Sequence, residues 1–277
     1  MRKNINIIYY DMYVKVLTTI TTTTDTHTHT HTHTHIMNFM NYTEYANDGN
    51  HIGNAMVLLY FFSFFGFYVG VDALIGKKYE GKYFLIHGLN NAFIVYLTYD
   101  DLISTFTNFN SILTNNINIL PSIITYSLHV YHIFVYHYKF TFDDWLHHIL
   151  MGAALIIAHQ FHTGRLINYS LFFTTGLPGM FDYLLLFFVK NNIIAPVFEK
   201  KINSWINLWI RCPGCTSHAV LTILVYNIYS KTLLTSAFEQ FGYVFTAVIT
   251  FWNGIYFMNK VIISYNNAVN KNGKTIN

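Results

Sequence analysis

The chain of 277 residues has few charged side chains, because Asp, Glu, Lys and Arg make up only 10% of it. A soluble domain carries about 25% charged residues. Here 53% of the residues are hydrophobic and 18% are aromatic. So small an ionic surface does not keep a protein of this size in water, which excludes a soluble globular domain. The composition predicts an integral membrane protein.

Cysteine and surplus positive charge are also scarce. Cys212 and Cys215 are too few to staple a chain of this length, which excludes a disulfide scaffold. The net charge of +3 comes from 16 Lys and Arg against 13 Asp and Glu. The basic residues fall in short hydrophilic gaps rather than on one stripe, so we expect no nucleic-acid partner.

The N-terminal segment is of low complexity. Residues 26–35 repeat the dipeptide Thr-His, a pattern that binds metal in some proteins but that a DNA dinucleotide repeat also encodes. We favour the second interpretation. The sequence is divided into a disordered low-complexity segment at 1–45, a transmembrane domain at 46–265 and a polar cytosolic tail at 266–277.

Apolar stretches of about 20 residues, the length that a helix needs to cross a bilayer, recur through the rest of the chain. They predict an all-α polytopic transmembrane bundle of about seven spans. The spans are placed at 52–76, 83–106, 119–138, 144–161, 166–189, 213–230 and 240–262. Between the fifth and sixth spans, residues 191–211 contain paired lysines and two tryptophans and are predicted to form an interfacial helix.

Lys and Arg concentrate in alternate gaps between the predicted spans, namely those after spans one, three and five and the C-terminal tail. Basic loops remain on the cytosolic side of a membrane. The C-terminus is therefore predicted to be cytosolic, and the expected location is an internal membrane such as the endoplasmic reticulum.

Ionisable side chains inside the predicted spans carry the functional signal, because such groups are costly in lipid and mark functional sites by default. At 1.5 Å of rise per residue, most of them lie roughly 6–14 Å from the cytosolic end of their span. Isolated histidines can also simply tie helices together. Common depth and helical phase instead predict one polar cavity. Its expected substrate-binding residues are His87, Asp101, His129, His132 and His218.

Adjacent histidines at the start of span four form the sharpest pattern. His147 and His148 point about 100° apart on a helix, so one can face the cavity while the other braces it. A neutral imidazole is a good general base, and Asp182 could orient it as the third member of a triad does. Asp143 and Asp144 could equally cap the helix start. The two interpretations are compatible.

At these residues the chain resembles the TLC domain, the multi-span module of ceramide synthases and of several non-catalytic membrane proteins. In that family a His-His pair is followed about thirty residues later by an Asp motif ending in Asp-Tyr-Leu. Here Asp182-Tyr183-Leu184 begins 34 positions after His148. The resemblance covers roughly residues 80–265 and implies a bundle around a lipid cavity. It also implies His147, His148 and Asp182 as acyl-transfer residues and acyl-CoA as co-substrate.

The sequence departs from the ceramide synthase pattern at two positions. Gly179 stands where the first Asp of the motif is expected, and Leu186 replaces an acidic residue that follows the motif. A divergent TLC-like protein fits better than a ceramide synthase. It could be a different lipid transferase or a lipid sensor.

Metal and redox chemistry are competing interpretations. Di-iron hydroxylases need about eight histidines in boxes, and the second box fails because Asp144 stands in it. A zinc hydrolase could draw its ligands from His129, His132, His218 and Asp182, but no spacing favours it. Cys212-Pro213-Gly214-Cys215 has redox spacing, although Pro-Gly favours a turn ahead of span six. We expect neither a metal nor another tightly bound cofactor.

The expected function is therefore lipid handling within a membrane, with acyl transfer as its catalytic form. A non-enzymatic lipid-binding or membrane-composition regulator is the alternative, since the TLC family contains both. The expected partners are membrane lipids, and self-association into a homo-oligomer is compatible with the sequence.

Overall fold

A computed structural model describes residues 54–76, 78–113, 117–160, 163–230 and 236–273. Every regular element within these ranges is helical, and no strand occurs there. The predicted low-complexity segment at 1–45, with its Thr-His repeat, lies outside the described residues.

Nine α-helices make up the described fold, and three-residue 3₁₀ turns follow the second and third of them. Two five-residue π-helical turns make longer continuous helices, Phe172–Gly176 joining α5 to α6 and Asn207–Arg211 joining α7 to α8. The helices are α1 (Asn54–Ile75), α2 (Lys82–Thr107), α3 (Leu120–Tyr136), α4 (Phe142–Gln160), α5 (Leu166–Leu171), α6 (Leu177–Lys190), α7 (Pro196–Ile206), α8 (Cys212–Tyr229) and α9 (Ala237–Gly273).

Four helices are long and apolar enough to cross a membrane, which is consistent with the integral membrane protein that the composition predicts. They are Ala55–Ile75, Leu166–Lys190, Pro196–Tyr229 and Ala237–Lys271. The other three predicted spans correspond to α2, α3 and α4. These form helices, but α3 has only 17 residues, and none of the three is among the helices of the described chain that are both long and apolar enough. The structure thus supports four spans by length and composition, and not the full seven.

The region before the sixth predicted span differs from expectation. Residues 196–229 form one continuous helix, so the predicted interfacial segment at 191–211 is largely joined to that span. The predicted turn at Cys212–Cys215 is also helical. Proline removes a backbone donor and crowds the preceding turn, and a π turn is a common place for that irregularity. Pro178 and Pro213 each come two residues after a π turn.

Two groups of helices enclose the interior. The first surrounds α2, which contacts α1, α3, α5 and α6. The second surrounds α9, which contacts α4, α7 and α8. Large apolar side chains cover the outside, as on α1, where Leu74 is 88% exposed. Such an apolar exterior suits lipid rather than water.

Glycines allow close helix contact at two points near the interior. A Cβ atom on Gly214 would lie 2.1 Å from the ring of Phe173, and one on Gly179 would lie 2.5 Å from the side chain of Asn91. The glycines of both Pro-Gly pairs, including the one at 213–214 that predicted a turn, therefore allow close helix packing.

Candidate functional site

A cavity of about 220 Å³ lies inside the bundle. Residues of α2, α3, α4, α5, α6, α8 and α9 line it, together with Thr163, two residues of the first π turn and the last residue of the second. All but one of the side chains proposed from the sequence line this cavity. They are His87, His129, His132, His147, His148, Asp182 and His218. The helical phases and depths thus lead to a shared cavity, while the roles of these residues stay predictions.

Asp101 is the exception. Its carboxylate accepts hydrogen bonds from Arg165 at 3.3 Å and from Asn168 at 2.6 Å, away from the cavity lining. Asp101 shares a helix face with His87, but the 14 intervening steps place it about 21 Å further along the axis. Asp101 and His87 share the helical phase but not the depth in the bundle. The prediction that Asp101 lines the cavity was therefore wrong.

Backbone carbonyls determine which ring nitrogen carries the proton in three cavity histidines. The Nδ1 atoms of His87 and His129 lie 2.7 Å from the carbonyls of Tyr83 and Thr125, and Nε2 of His218 lies 3.1 Å from the carbonyl of Leu166. A carbonyl oxygen can only accept, so each of these nitrogens carries the proton. In the neutral ring the opposite nitrogen then has a free lone pair, which can accept a proton or a hydrogen bond from a ligand.

His132 and His148 contact each other directly, with 3.1 Å between Nδ1 of His132 and Nε2 of His148. The ring of His148 stacks on Phe140 with the centroids 4.7 Å apart. The ring of His147 lies 5.5 Å from that of His148 and 6.3 Å from that of Phe257 on α9. Both adjacent histidines place their rings within 5.6 Å of the ring of His129, and both line the cavity.

The two aspartates before the histidine pair have structural roles. The Thr141 amide donates to the Asp144 carboxylate at 2.8 Å, and the Asp144 amide donates back to the Thr141 hydroxyl at 3.3 Å. This reciprocal pair caps the start of α4. Asp143 instead pairs with Lys260 at 2.5 Å, and because both side chains are about half exposed they mark the rim of the cavity. The helix-capping interpretation is therefore confirmed for Asp144 but not for Asp143, and the catalytic interpretation of the histidine pair stays a prediction.

Asp182 does not form the expected triad contact. Its Oδ1 accepts a hydrogen bond from Asn203 at 2.6 Å. No histidine of the described chain lies within ion-pairing distance, 4.0 Å, of its carboxylate. Asp182 shares the cavity with the histidine pair, but a role in orienting either ring stays a prediction.

Sequence reasoning missed a ladder of buried polar side chains along α7 and the following π turn. Arg211 donates to Asn207 at 3.0 Å, and Asn207 donates to Asn203 at 2.6 Å. Asn203 in turn contacts Asp182 and, at 3.4 Å, Glu199. The sequence does contain a pattern for this ladder, because its four polar residues recur at every fourth position and so share one face of a helix. Neighbouring lysines and tryptophans led us to assign the segment to the membrane surface.

Unpartnered polar atoms concentrate at the cavity. Eight buried side-chain nitrogen or oxygen atoms of the described residues have no hydrogen-bond partner, and six of them belong to residues that line the cavity. The six are His129 Nε2, His148 Nδ1, Arg211 Nε, His218 Nδ1, Thr246 Oγ1 and Asn253 Oδ1. Such atoms are rare inside proteins and call for an explanation.

Metal and redox sites receive no support from the geometry. No three or more His, Cys, Asp or Glu side chains within the described ranges are arranged to hold a metal ion. His132 and His137 have the spacing of the first di-iron box, but His137 is exposed. Cys212 and Cys215 are both unbonded, and Cys215 is fully buried.

No protein-family model, curated protein or solved structure matches this chain. The function of this protein is consequently inferred from the cavity itself.

Proposed function

We propose that this protein binds a membrane lipid in the histidine-lined cavity, within a TLC-like bundle of about seven spans. Acyl transfer is the catalytic form of this proposal. The bundle would lie in an internal membrane such as the endoplasmic reticulum, with the C-terminus in the cytosol.

One observation carries the proposal: six histidines and Asp182, contributed by five helices, line a single cavity in an apolar bundle. Ionisable side chains within a membrane protein are costly and are retained mainly where they serve a ligand or a reaction. The walls between them are apolar, since Leu155, Ile167 and Leu171 belong both to a buried core cluster and to the cavity lining. A cavity that is apolar with a few convergent polar groups is the usual form of a ligand site.

The histidines could perform acyl transfer. A neutral imidazole such as His148 would accept the proton of a lipid hydroxyl or amine while that atom attacks the carbonyl carbon of a thioester such as acyl-CoA. The carbon–sulfur bond would break, and the leaving thiolate would take the proton from the imidazolium. The products would be an acylated lipid and a free thiol.

A non-enzymatic lipid-binding regulator is the second candidate. The observation in its favour is the partner of Asp182, which is Asn203 rather than a histidine. Catalysis by a triad would require a carboxylate to move within reach of the imidazole and orient it. Lipid binding requires no such rearrangement.

Lipid analysis separates these functions. The full chain, His148→Ala and His137→Ala would be expressed in the same host and the total lipids compared by mass spectrometry. His137 is the matched control, because it is exposed and does not line the cavity. An acylated product made by the intact chain and His137→Ala but not by His148→Ala supports the enzyme.

Binding gives the second readout. A lipid that co-purifies with the intact chain, combined with identical cellular lipid profiles, supports the regulator. The lipid-cavity proposal is wrong if the profiles are identical and no lipid co-purifies beyond the amount retained by an unrelated polytopic protein.

A further inference from the structure

Arg211 is a buried cation in the middle of the 34-residue helix Pro196–Tyr229. It is 6% exposed, and it lines the cavity. Fifteen residues separate it from the start of this helix, or about 22 Å at 1.5 Å per residue. A charged side chain at this depth of an apolar helix is a functional-site hypothesis by default.

The charge of Arg211 lacks a direct counter-ion. Other basic side chains of the bundle have one: Lys82 lies 2.7 Å from Asp72, and Arg165 lies 3.3 Å from Asp101. Among the described residues, no carboxylate lies within 4.0 Å of the Arg211 guanidinium. The carboxylate of Asp182, which also lines the cavity, interacts with the charge of Arg211 over a longer distance but forms no ion pair with it. Glu199, at the far end of the polar ladder, is 12 residues or about 18 Å away along the helix.

Two uncharged side chains, Asn207 and Phe257, hold the guanidinium of Arg211 in place. Nη1 donates to the amide oxygen of Asn207 at 3.0 Å, and Phe257 places its ring centroid 4.8 Å from Cζ. The Nε atom is buried and has no partner. A guanidinium that is fixed on two sides and has a free N–H is preorganised to bind a carboxylate or a phosphate.

We propose that Arg211 binds the anionic group of an amphiphile whose acyl chain occupies the cavity. This inference depends on the proposed lipid-binding function and adds the charge of the ligand to it. A fatty acid and a lysophospholipid with a phosphate head share the required chemistry, an anion joined to one long chain.

The test measures how much the negative charge contributes to binding. The full chain is reconstituted in phosphatidylcholine nanodiscs, and binding of radiolabelled palmitate, palmitoyl-lysophosphatidate and uncharged hexadecanol is measured by scintillation proximity. Empty nanodiscs provide the partitioning background. We expect at least one anion to bind about 10- to 100-fold more tightly than hexadecanol, the value of a charged hydrogen bond. The preferred anion identifies a carboxylate or a phosphate ligand.

Variants of Arg211 test whether this residue is the source of the preference. In Arg211→Leu the ratio of anion to hexadecanol affinity should fall toward one. Arg211→Gln also removes the charge but keeps an N–H donor for Asn207, so it supplies the same comparison where the leucine variant does not fold. Lys201→Leu is the matched control, because Lys201 is an exposed basic residue on the same helix.

The outcomes separate the two proposals. The Arg211 inference is overturned if the intact chain binds hexadecanol as tightly as both anions, or if Arg211→Gln keeps the anion preference. It is also overturned if Lys201→Leu loses that preference equally, since surface charge would then explain it. If none of the three ligands binds above empty nanodiscs, the proposed lipid-binding function is itself wrong.

Discussion

Two buried polar regions of this protein differ in how completely their atoms are paired. At the contact of α1 with α2 and α3, the Asp72 carboxylate accepts hydrogen bonds from Lys82 at 2.7 Å, from Tyr131 at 2.8 Å and from Tyr136. Along the cavity, six buried polar atoms have no partner. The paired region serves to hold α1 in place, whereas the unpaired region is suited to a ligand.

The energetics of buried polar groups support this division. A buried donor or acceptor without a partner costs about 1–3 kcal/mol. A fold that keeps six such atoms around one cavity gives up stability that the Asp72 region does not give up. A ligand that supplies the missing hydrogen-bond partners would recover part of that energy. The two regions should therefore differ in how much a substitution changes the free energy of unfolding.

The largest expected effect is that of Asp72→Ala. The substitution leaves Lys82 as a largely buried ammonium without its carboxylate and removes the acceptor of two tyrosines. Breaking a buried pair in this way costs about 3–5 kcal/mol, so the thermal unfolding midpoint in detergent should fall steeply.

Asp143→Ala is the matched control for that change, because the ion pair of Asp143 with Lys260 is about half exposed. An exposed pair contributes about 0–1 kcal/mol. Equal shifts in the unfolding midpoint for the two variants would contradict the assignment of Asp72 to a structural cluster.

A smaller effect is expected for Gly214→Ala. The new methyl group would lie 2.1 Å from the ring of Phe173, and overpacking of this kind costs about 1–3 kcal/mol. Gly152→Ala is the control, because a Cβ there meets no atom within 4 Å. We expect it to be neutral or to stabilise α4 by up to about 1 kcal/mol. If the unfolding midpoints of both variants shift by the same amount, the close approach of Gly214 to Phe173 does not contribute to stability.

The smallest effect on stability is expected for His129→Leu. This change loses the bond to the Thr125 carbonyl but also removes the unpartnered Nε2. The two effects offset each other to within about 1 kcal/mol. Tyr131→Phe should cost more, about 1.5–3 kcal/mol, because it removes a hydrogen bond to a carboxylate. The reverse order of unfolding midpoints would show that the cavity histidines hold the fold together.

Much of the fold could be predicted from the sequence, because apolar length alone located the helices. Each of the seven predicted spans is helical over nearly all of the residues that the structure describes, apart from one end residue in three of them. The shared cavity could be predicted as well, since His129, His132 and His148 have both the phase and the depth that bring them together. Asp101 showed that phase without depth is insufficient.

The π turns and the polar ladder could not be found in the same way. A π turn has no strong sequence pattern, so the Pro-Gly pair at 213–214 predicts a turn, and the irregularity ahead of the pair at 178–179, inside the predicted span 166–189, has no signal in the sequence. Arg211 consequently fell in an assumed surface segment, although it lies on a continuous helix and lines the cavity. Whether a polar residue faces lipid, water or a cavity depends on tertiary packing, which spacing along one helix does not determine.

Photo-crosslinking tests the central claim most directly. The full chain in nanodiscs would be exposed to a palmitate analogue with a chain diazirine, irradiated and mapped by peptide mass spectrometry. The lipid-cavity account predicts labels on cavity-lining residues such as Leu128 and Met151, which excess unlabelled palmitate removes. Labels confined to outward-facing residues such as Leu74, and unchanged by the competitor, would contradict it.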